Sequence, residues 1–407
     1  MSGKPTTRRW LNRTVLGIAL TSLFSDLSHE AATSVLPMFL ATIGAIPAAL
    51  GIIEGVADAI SSFAKLGSGW YSDKLQKRKP VAVIGYGLTA LGTGSFAFAG
   101  SWFLILCGRT AAWFGRGIRG PVRDAIMTDA IPAESRGKAF GFDRMMDTLG
   151  AVLGPITALW LVAFLTYRSI FLLTLIPGFL AMFSFAFLVK EKPRSLAAAP
   201  KTFKLSVKEL PAGFKKYLLA VGIFGMGDFS HTLLILRASQ IFSANNVSNP
   251  GTLAVSLYVV HNIIYAAMSY PAGALGDKIG KRKMLVFGYA LAVLMCIGFM
   301  LPMTQYWYLF LLFAVAGVYI AIEDSLERAL AADMIPAHLR GTGFGMLATV
   351  NGIGDFVSSV LVGVLWTSVS SNAGFLFAAV LCAAGAVTLL SIRMNESASS
   401  IPTASKQ

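Results

Sequence analysis

The sequence predicts an all-α integral membrane protein with twelve transmembrane helices in two pseudo-symmetric six-helix halves. Three observations carry that prediction. Of 407 residues, 55% are hydrophobic and 13% charged, where a soluble protein carries roughly 25% charged residues. Apolar runs long enough to cross a bilayer, about 20 residues each, recur along the whole chain. The second half also repeats motifs of the first, in the same order.

The runs place spans at 15–40, 48–71, 81–99, 102–130, 137–164 and 170–189, then at 217–241, 253–275, 284–301, 306–334, 342–366 and 374–392. Residues 1–189 form a first half, 190–216 a polar linker, 217–393 a second half and 394–407 a tail. The start, "MSGKPTTRRWLNR", has the charge of a signal n-region. The apolar run behind it is too long, holds charges and lacks a small-residue cleavage site, so a retained tail is expected.

Sidedness follows from Lys and Arg in short loops. Lys4, Arg8, Arg9 and Arg13 precede the first span. Lys74, Lys77, Arg78 and Lys79 follow the second, and Lys278, Lys281, Arg282 and Lys283 follow the eighth. The linker is basic too, whereas the opposite loops hold little beyond Arg168. Both termini are therefore expected in the cytoplasm, with the chain multi-pass in the cytoplasmic (inner) membrane. The net charge of +14 reflects this bias and attraction to anionic lipid, not a nucleic-acid partner. Cys107, Cys296 and Cys382 lie far apart in apolar runs; they are expected to be small buried hydrophobes rather than metal ligands or a disulfide framework.

"RDAIMTDAIPAESRGKAFG" (123–141) has a partner at an offset of 204, "ERALAADMIPAHLRGTGFG" (327–345). "GWYSDKLQKRK" (69–79) returns at the same offset as "GALGDKIGKRK" (273–283), and "SDLSHE" (25–30) returns 202 residues on as "GDFSHT" (227–232). Duplicated halves of this kind bind substrate near the bilayer midplane, between the repeats.

The two loop segments resemble the G-x-L-x-D-[RK]-x-G-[RK]-[RK] motif of the major facilitator superfamily. The second copy matches fully; the first departs at Tyr71 and Gln76. Arg109 stands where that family has its fourth-span arginine. "GAVLGP" (150–155) resembles the core of the family's antiporter motif through Gly150, Gly154 and Pro155, without the glycine pair that normally follows. The resemblance implies a secondary transporter, and the partial motif points to export by exchange. Small residues at this spacing also serve plain helix packing. The resemblance further implies cytoplasmic charge clusters that lock one conformation, built here from Asp73, Lys77, Arg78, Asp129 and Arg136 and from Asp277, Lys281, Arg282, Asp333 and Arg340. Ion pairs made in one state and broken in another bias such an equilibrium.

Charges inside the membrane are costly and mark function. They concentrate in the first, fourth, seventh and tenth spans, which the resemblance makes cavity-lining. Asp26 and Glu30 share a helix face, with His29 adjacent. Arg109, Arg116, Arg119 and Arg123 form one stripe, followed by Asp124, and Glu323 and Glu327 form another. At the repeat offset Arg119 corresponds to Glu323 and Arg123 to Glu327, guanidinium in one half where the other has carboxylate. This predicts either an ion-pair network between the halves or a guanidinium stripe that receives an anion. Asp26, His29 and Glu30, with Asp228 and His231 opposite, are expected to form a proton-coupling cluster. Burial raises a carboxyl pKa, and histidine titrates near neutrality. His261 and His338 lack symmetric partners and are expected to be structural.

The expected activity is proton-coupled export of a small organic solute by alternating access, by a monomer. The alternatives are an importer, a carrier of an anion such as a siderophore or organic acid, a metal-ion carrier using Asp26, His29, Asp228 and His231, or a non-transporting sensor. The chain has no P-loop, nucleophile elbow or metal-ligand spacing, so neither an enzyme nor a cofactor is expected.

Overall fold

A computed structural model describes residues 10–45, 47–191 and 202–392. Lys4, Arg8 and Arg9, residues 192–201 of the central linker and the 394–407 tail lie outside the described residues. The first half comprises α1 (Arg13–Thr42), α2 (Pro47–Asp73), α3 (Lys79–Gly94), α4 (Trp102–Ala130), α5 (Arg136–Val162), α6 (Tyr167–Leu173) and α7 (Leu175–Leu188). A short linker helix, α8 (Phe203–Glu209), leads to α9 (Ala212–Gly225), α10 (Thr232–Ala244), α11 (Pro250–Ile279), α12 (Lys281–Met300), α13 (Tyr306–Met334), α14 (Arg340–Ser368) and α15 (Ser371–Ser391). These form twelve spans, with α6–α7 and α9–α10 each making one broken span.

The molecule is apolar outside and charged inside. Phe63, Phe98, Leu159, Phe187 and Phe356 are each at least 70% exposed, as befits a lipid-facing surface. Eight helices are apolar and long enough to cross a membrane by composition alone. The others (α1, α2, α4 and the α9–α10 pair) carry the inward charges or are interrupted. Cys296 and Cys382 are buried, but Cys107 is exposed. This corrects the expectation for Cys107, because a lipid-facing position suits a small apolar thiol as well as a core does.

Local chemistry sets the helix ends. Asn12 caps α1, its side-chain oxygen accepting from the Thr14 and Val15 amides at 2.9 and 3.1 Å. Pro177 lacks the amide that would bond the Leu173 carbonyl, so the sixth span divides at Thr174. Gly280 adopts φ +105°, which lets α12 restart directly after α11. The first repeat has Gln76 near this point, and residues 74–78 are needed for the same turn. Arg168, the lone basic residue of the opposite loops, donates to the carbonyls of Ala97 and Ala99 at 2.8 and 2.9 Å.

The seventh span differs from the continuous helix expected over 217–241. It runs helical to Gly225 and resumes at Thr232. Gly225, Gly227, Asp228 and Ser230 disfavour helix here, because Gly is flexible and Asp and Ser compete for backbone groups. Irregular backbone at membrane depth is tolerated where it lines a cavity, and residues 228–231 do so. The Ser230 amide donates to Ser359 Oγ at 3.1 Å.

Within the first half α1 packs on α5 and α7, and α4 on α2 and α3; within the second, α13 packs on α11 and α12, and α15 on α9 and α12. The halves meet where α5 packs on α11 and α13, and where α14 packs on α2 and α4.

Candidate functional site

A cavity of about 660 Å³ lies between the halves, within the size range of small-molecule sites. The first half contributes Asp26 from α1, Lys65 from α2, Arg116, Arg119, Arg123 and Asp124 from α4, and Arg144 and Asp147 from α5. The second contributes Asp228 and His231 at the helix break, His261 from α11, Glu323, Asp324 and Arg328 from α13, and Asp355 from α14.

Ion pairs organise this wall. Arg116 binds Asp26 at 3.2 Å. Arg123 holds Asp124 at 3.0 Å, Asp143 at 3.5 Å and donates to Ser22 Oγ at 3.1 Å. Arg144 binds Asp147 and reaches across to Asp324 at 3.1 Å. Arg328 lies 3.7 Å from Asp124 and 3.5 Å from Asp324. Tyr319 Oη donates to Asp228 Oδ1 at 2.9 Å, and His231 Nε2 lies 3.0 Å from the same hydroxyl. With that hydroxyl proton committed to Asp228, His231 Nε2 is the donor. His231 and His261 are adjacent, ring centroids 4.7 Å apart.

The ion-pair network between the halves does not run through the corresponding stripe residues. Arg119 and Glu323, and Arg123 and Glu327, form no ion pairs across the halves. Arg123 is held by carboxylates of its own half. Glu327 leaves the cavity for the core of the second half. There Tyr289 and Asn351 donate to its carboxylate, the latter at 2.9 Å, and Tyr217 donates to its carbonyl at 2.9 Å. The central inter-half pairs are instead Arg144–Asp324 and Arg328–Asp124. Arg109 is also outside the cavity, as it sits ten residues before Arg119, about 15 Å along the helix. It is 2% exposed, bound to Glu54 at 2.8 Å and Thr33 at 2.9 Å, and stacked 3.7 Å over Trp113.

The expected proton-coupling set is divided too. Asp26, Asp228 and His231 line the cavity, whereas His29 turns to Trp113 (4.4 Å between centroids) and lies 3.7 Å from Glu30. Among the described residues, no three His, Cys, Asp or Glu side chains gather as a metal site. His261, expected to be structural, is part of the cavity wall; His338 lies 3.7 Å from Glu209, away from it. Lys65, Arg144, Asp147, Asp324, Arg328 and Asp355 join the expected site residues on this wall. Their signal, charge within an apolar run, was present in the sequence.

The basic-loop end is closed by two related constellations. In one, Asp73 accepts from the amides of Gly341 and Thr342 at 2.9 and 2.7 Å. Arg78 bridges Asp73 (3.1 Å) and Asp129 (3.0 Å), and Arg340 also binds Asp129. In the other, Asp277 accepts from the amides of Gly137 and Lys138 at 2.9 and 2.8 Å. Lys281 bridges Asp277 (3.6 Å) and Asp333 (2.7 Å), and Arg136 binds Asp333 at 2.7 Å. Each aspartate therefore sits at the positive N-terminus of a helix from the other half. Two expected members differ. Lys77 is exposed and, among the described residues, has no partner, because Arg78 takes the bridging role. Arg282 donates to the Ile392 carbonyl instead of joining Asp277. Glycines permit the approach: a Cβ on Gly137 would fall on the Gly273 carbonyl, and one on Gly69 on the Gly341 carbonyl. Gly150 and Gly154 seat α5 against α1, with Cβ positions at 3.0 Å from the Leu27 amide and 2.9 Å from the Ala31 amide.

Two pseudo-symmetric six-span halves around a charged central cavity, locked at one end by helix-capping aspartates, define a secondary-transporter fold. The Major Facilitator Superfamily family model matches residues 18–245 and 217–407, and the chain belongs to this superfamily. It is 32% identical over 386 residues to an uncharacterised MFS-type transporter of Methanocaldococcus jannaschii, covering 94% of this chain and 96% of that one. It is 26% identical over 264 residues to the multidrug resistance protein MdtG of Klebsiella pneumoniae, covering 63% and 61%. The structure is similar to that of the MFS transporter FucP in its outward conformation, with TM-score 0.77, 14% identity, and 95% and 99% coverage.

Proposed function

We propose that this transporter exports a small organic solute in exchange for protons, with the cavity between the halves as the solute site. The observation that carries the reading is Asp26, a buried carboxylate on the cavity wall with Arg116 as its ion-pair partner at 3.2 Å. Protonating Asp26 removes the charge that holds Arg116, so proton and solute compete for one arrangement of the wall. Asp228 offers a second carboxyl on the opposite wall.

The basic-loop end is read as cytoplasmic by loop charge, so this conformation is closed to the cytoplasm. The likeness to FucP in its outward conformation supports that sidedness. Export is supported by the likeness to MdtG and by the partial "GAVLGP" motif. Solute access from the cytoplasm then requires the Asp73 and Asp277 contacts to break while others form. One copy suffices, since both walls of the cavity come from a single chain. The alternative of an anion carrier rests on the arginine stripe. The seven carboxylates that share the cavity with six cations weigh against it.

The test compares metabolites in cells and medium for a deletion strain, wild type and Asp26→Asn. The expected result is a compound retained by deletion and Asp26→Asn cells and missing from their medium, with exchange preserved in Asp26→Asn proteoliposomes. A compound removed from the medium only by wild type reverses the direction. Wild-type uphill flux in Asp26→Asn removes Asp26 from coupling.

A further inference from the structure

We infer that the cavity takes a zwitterion, a small molecule carrying both an ammonium and a carboxylate, with the anionic end on the first half and the cationic end on the second. The inference rests on the reading of this cavity as the solute site and adds the chemical class of the solute.

Once the ion pairs are made, few charges on the wall remain. Asp26–Arg116, Arg123–Asp124, Arg144–Asp147 and Arg328–Asp324 neutralise much of the wall. Among the described residues, Lys65, Arg119, Asp228, Glu323 and Asp355 have no oppositely charged side chain within 4.0 Å. These five are segregated by sign. Both cations belong to the first half, on α2 and α4, and all three carboxylates to the second.

Two of the five are more than nine-tenths buried. Arg119 is 5% exposed; its Nε has no acceptor, and its guanidinium lies 4.1 Å over the Tyr86 ring. Glu323 is 8% exposed and, among the described residues, has no hydrogen-bond partner. Buried charges without partners are costly, and a guanidinium fork is shaped for carboxylate. Lys65 on α2 and Asp355 on α14 repeat the opposition across the cavity wall. Tyr258 and His261 stack on the second-half wall with centroids 5.5 Å apart, and aromatic faces suit an ammonium. A solute with one charge would satisfy one wall and leave the other bare. A zwitterion satisfies both and, in doing so, bridges the halves.

The test uses the purified full chain in lipid nanodiscs and matched probe sets. Free amino acids and dipeptides, for example phenylalanine and leucyl-leucine, are compared with their C-terminal amides and their N-acetyl derivatives. Binding is read by thermal shift and by competition. The expected result is a free zwitterion that binds at least tenfold tighter than both of its derivatives. Arg119→Gln should erase the preference over the amide, and Glu323→Gln the preference over the N-acetyl form. The wild-type comparison needs no variant, so misfolding cannot imitate the outcome. An N-acetyl form binding as well as its parent overturns the inference in favour of an anion carrier; an equally good amide overturns it in favour of a cation carrier. A silent panel overturns the class. In each of those cases the exporter reading still stands if Asp26→Asn retains a metabolite that wild type releases, so the two failures are separable.

Discussion

Arg109 illustrates how position along a helix decides the role of a charge. It belongs to the same stripe as Arg116, Arg119 and Arg123, yet it is sealed against Glu54, Thr33 and Trp113 instead of facing solute. Its replacement should therefore be a stability variant. Arg109→Ala leaves Glu54 without its cation; since Glu54 is about one-third exposed and regains some water, the cost is about 2 kcal/mol. Thermal unfolding followed by fluorescence-detected size exclusion should give a lower midpoint, while the purified fraction keeps wild-type solute affinity. An unchanged midpoint with lost binding would instead put Arg109 at the solute. At this scale much was legible. Asp26, Arg116, Arg119, Arg123, Asp124, Asp228, His231 and Glu323 are charged or titratable residues in apolar runs, and all line the cavity. Glu327 shares that signal but finds Tyr289 and Asn351, partners that are distant in sequence and set only by packing.

At the scale of elements, the contact of α5 with α11 depends on Gly137 and Gly273 lying backbone to backbone. Gly273→Val would push these helices apart at the basic-loop end. With Cys107 removed and a cysteine placed at Leu347 on the cavity wall, a membrane-impermeant thiol reagent supplied from the basic-loop side should label the valine variant several-fold faster. Equal labelling would mean that this approach does not close the cavity. The repeat motifs made these glycines visible in the sequence, because Gly137 and Gly273 both fall in repeated segments. The break between α9 and α10 is hidden in the sequence, although "GMGDFS" carries the residues that cause it. Its apolar flanks give a continuous span by hydropathy, and only the cavity beside it makes an irregular backbone tolerable.

For the whole molecule, closure at the basic-loop end is shared between two constellations related by the repeat. Asn cannot reproduce either, since its amide nitrogen would face a backbone N–H where a carboxylate oxygen now accepts. Hydrogen bonds to a charged group contribute about 1.5–3 kcal/mol, so Asp73→Asn or Asp277→Asn should each shift the closed-to-open ratio roughly tenfold or more. The double variant should shift it further than either alone, as expected for distant sites. Distances between spin labels on α2 and α14, and on α5 and α11, would record the change. A double variant no more open than the singles would mean that the two constellations act as one unit. Sequence repetition made this architecture legible, since it duplicates Asp73 and Asp129 as Asp277 and Asp333. It did not foretell that Arg78 bridges in one half and Lys281 in the other, a one-residue difference set by the longer turn at 74–78.

The interruption at 226–231 also gives the two halves different mechanics. The first span, α1, continues as one helix for 30 residues, with a single backbone bond lost at Pro37, so a push at one end is transmitted to the other largely as along a rod. Its counterpart has no continuous ladder of backbone bonds through the interruption and behaves as two rods on a joint. The joint thus separates α10, at the cavity, from α9, which runs to the closed end, so a displacement of one is not forced on the other.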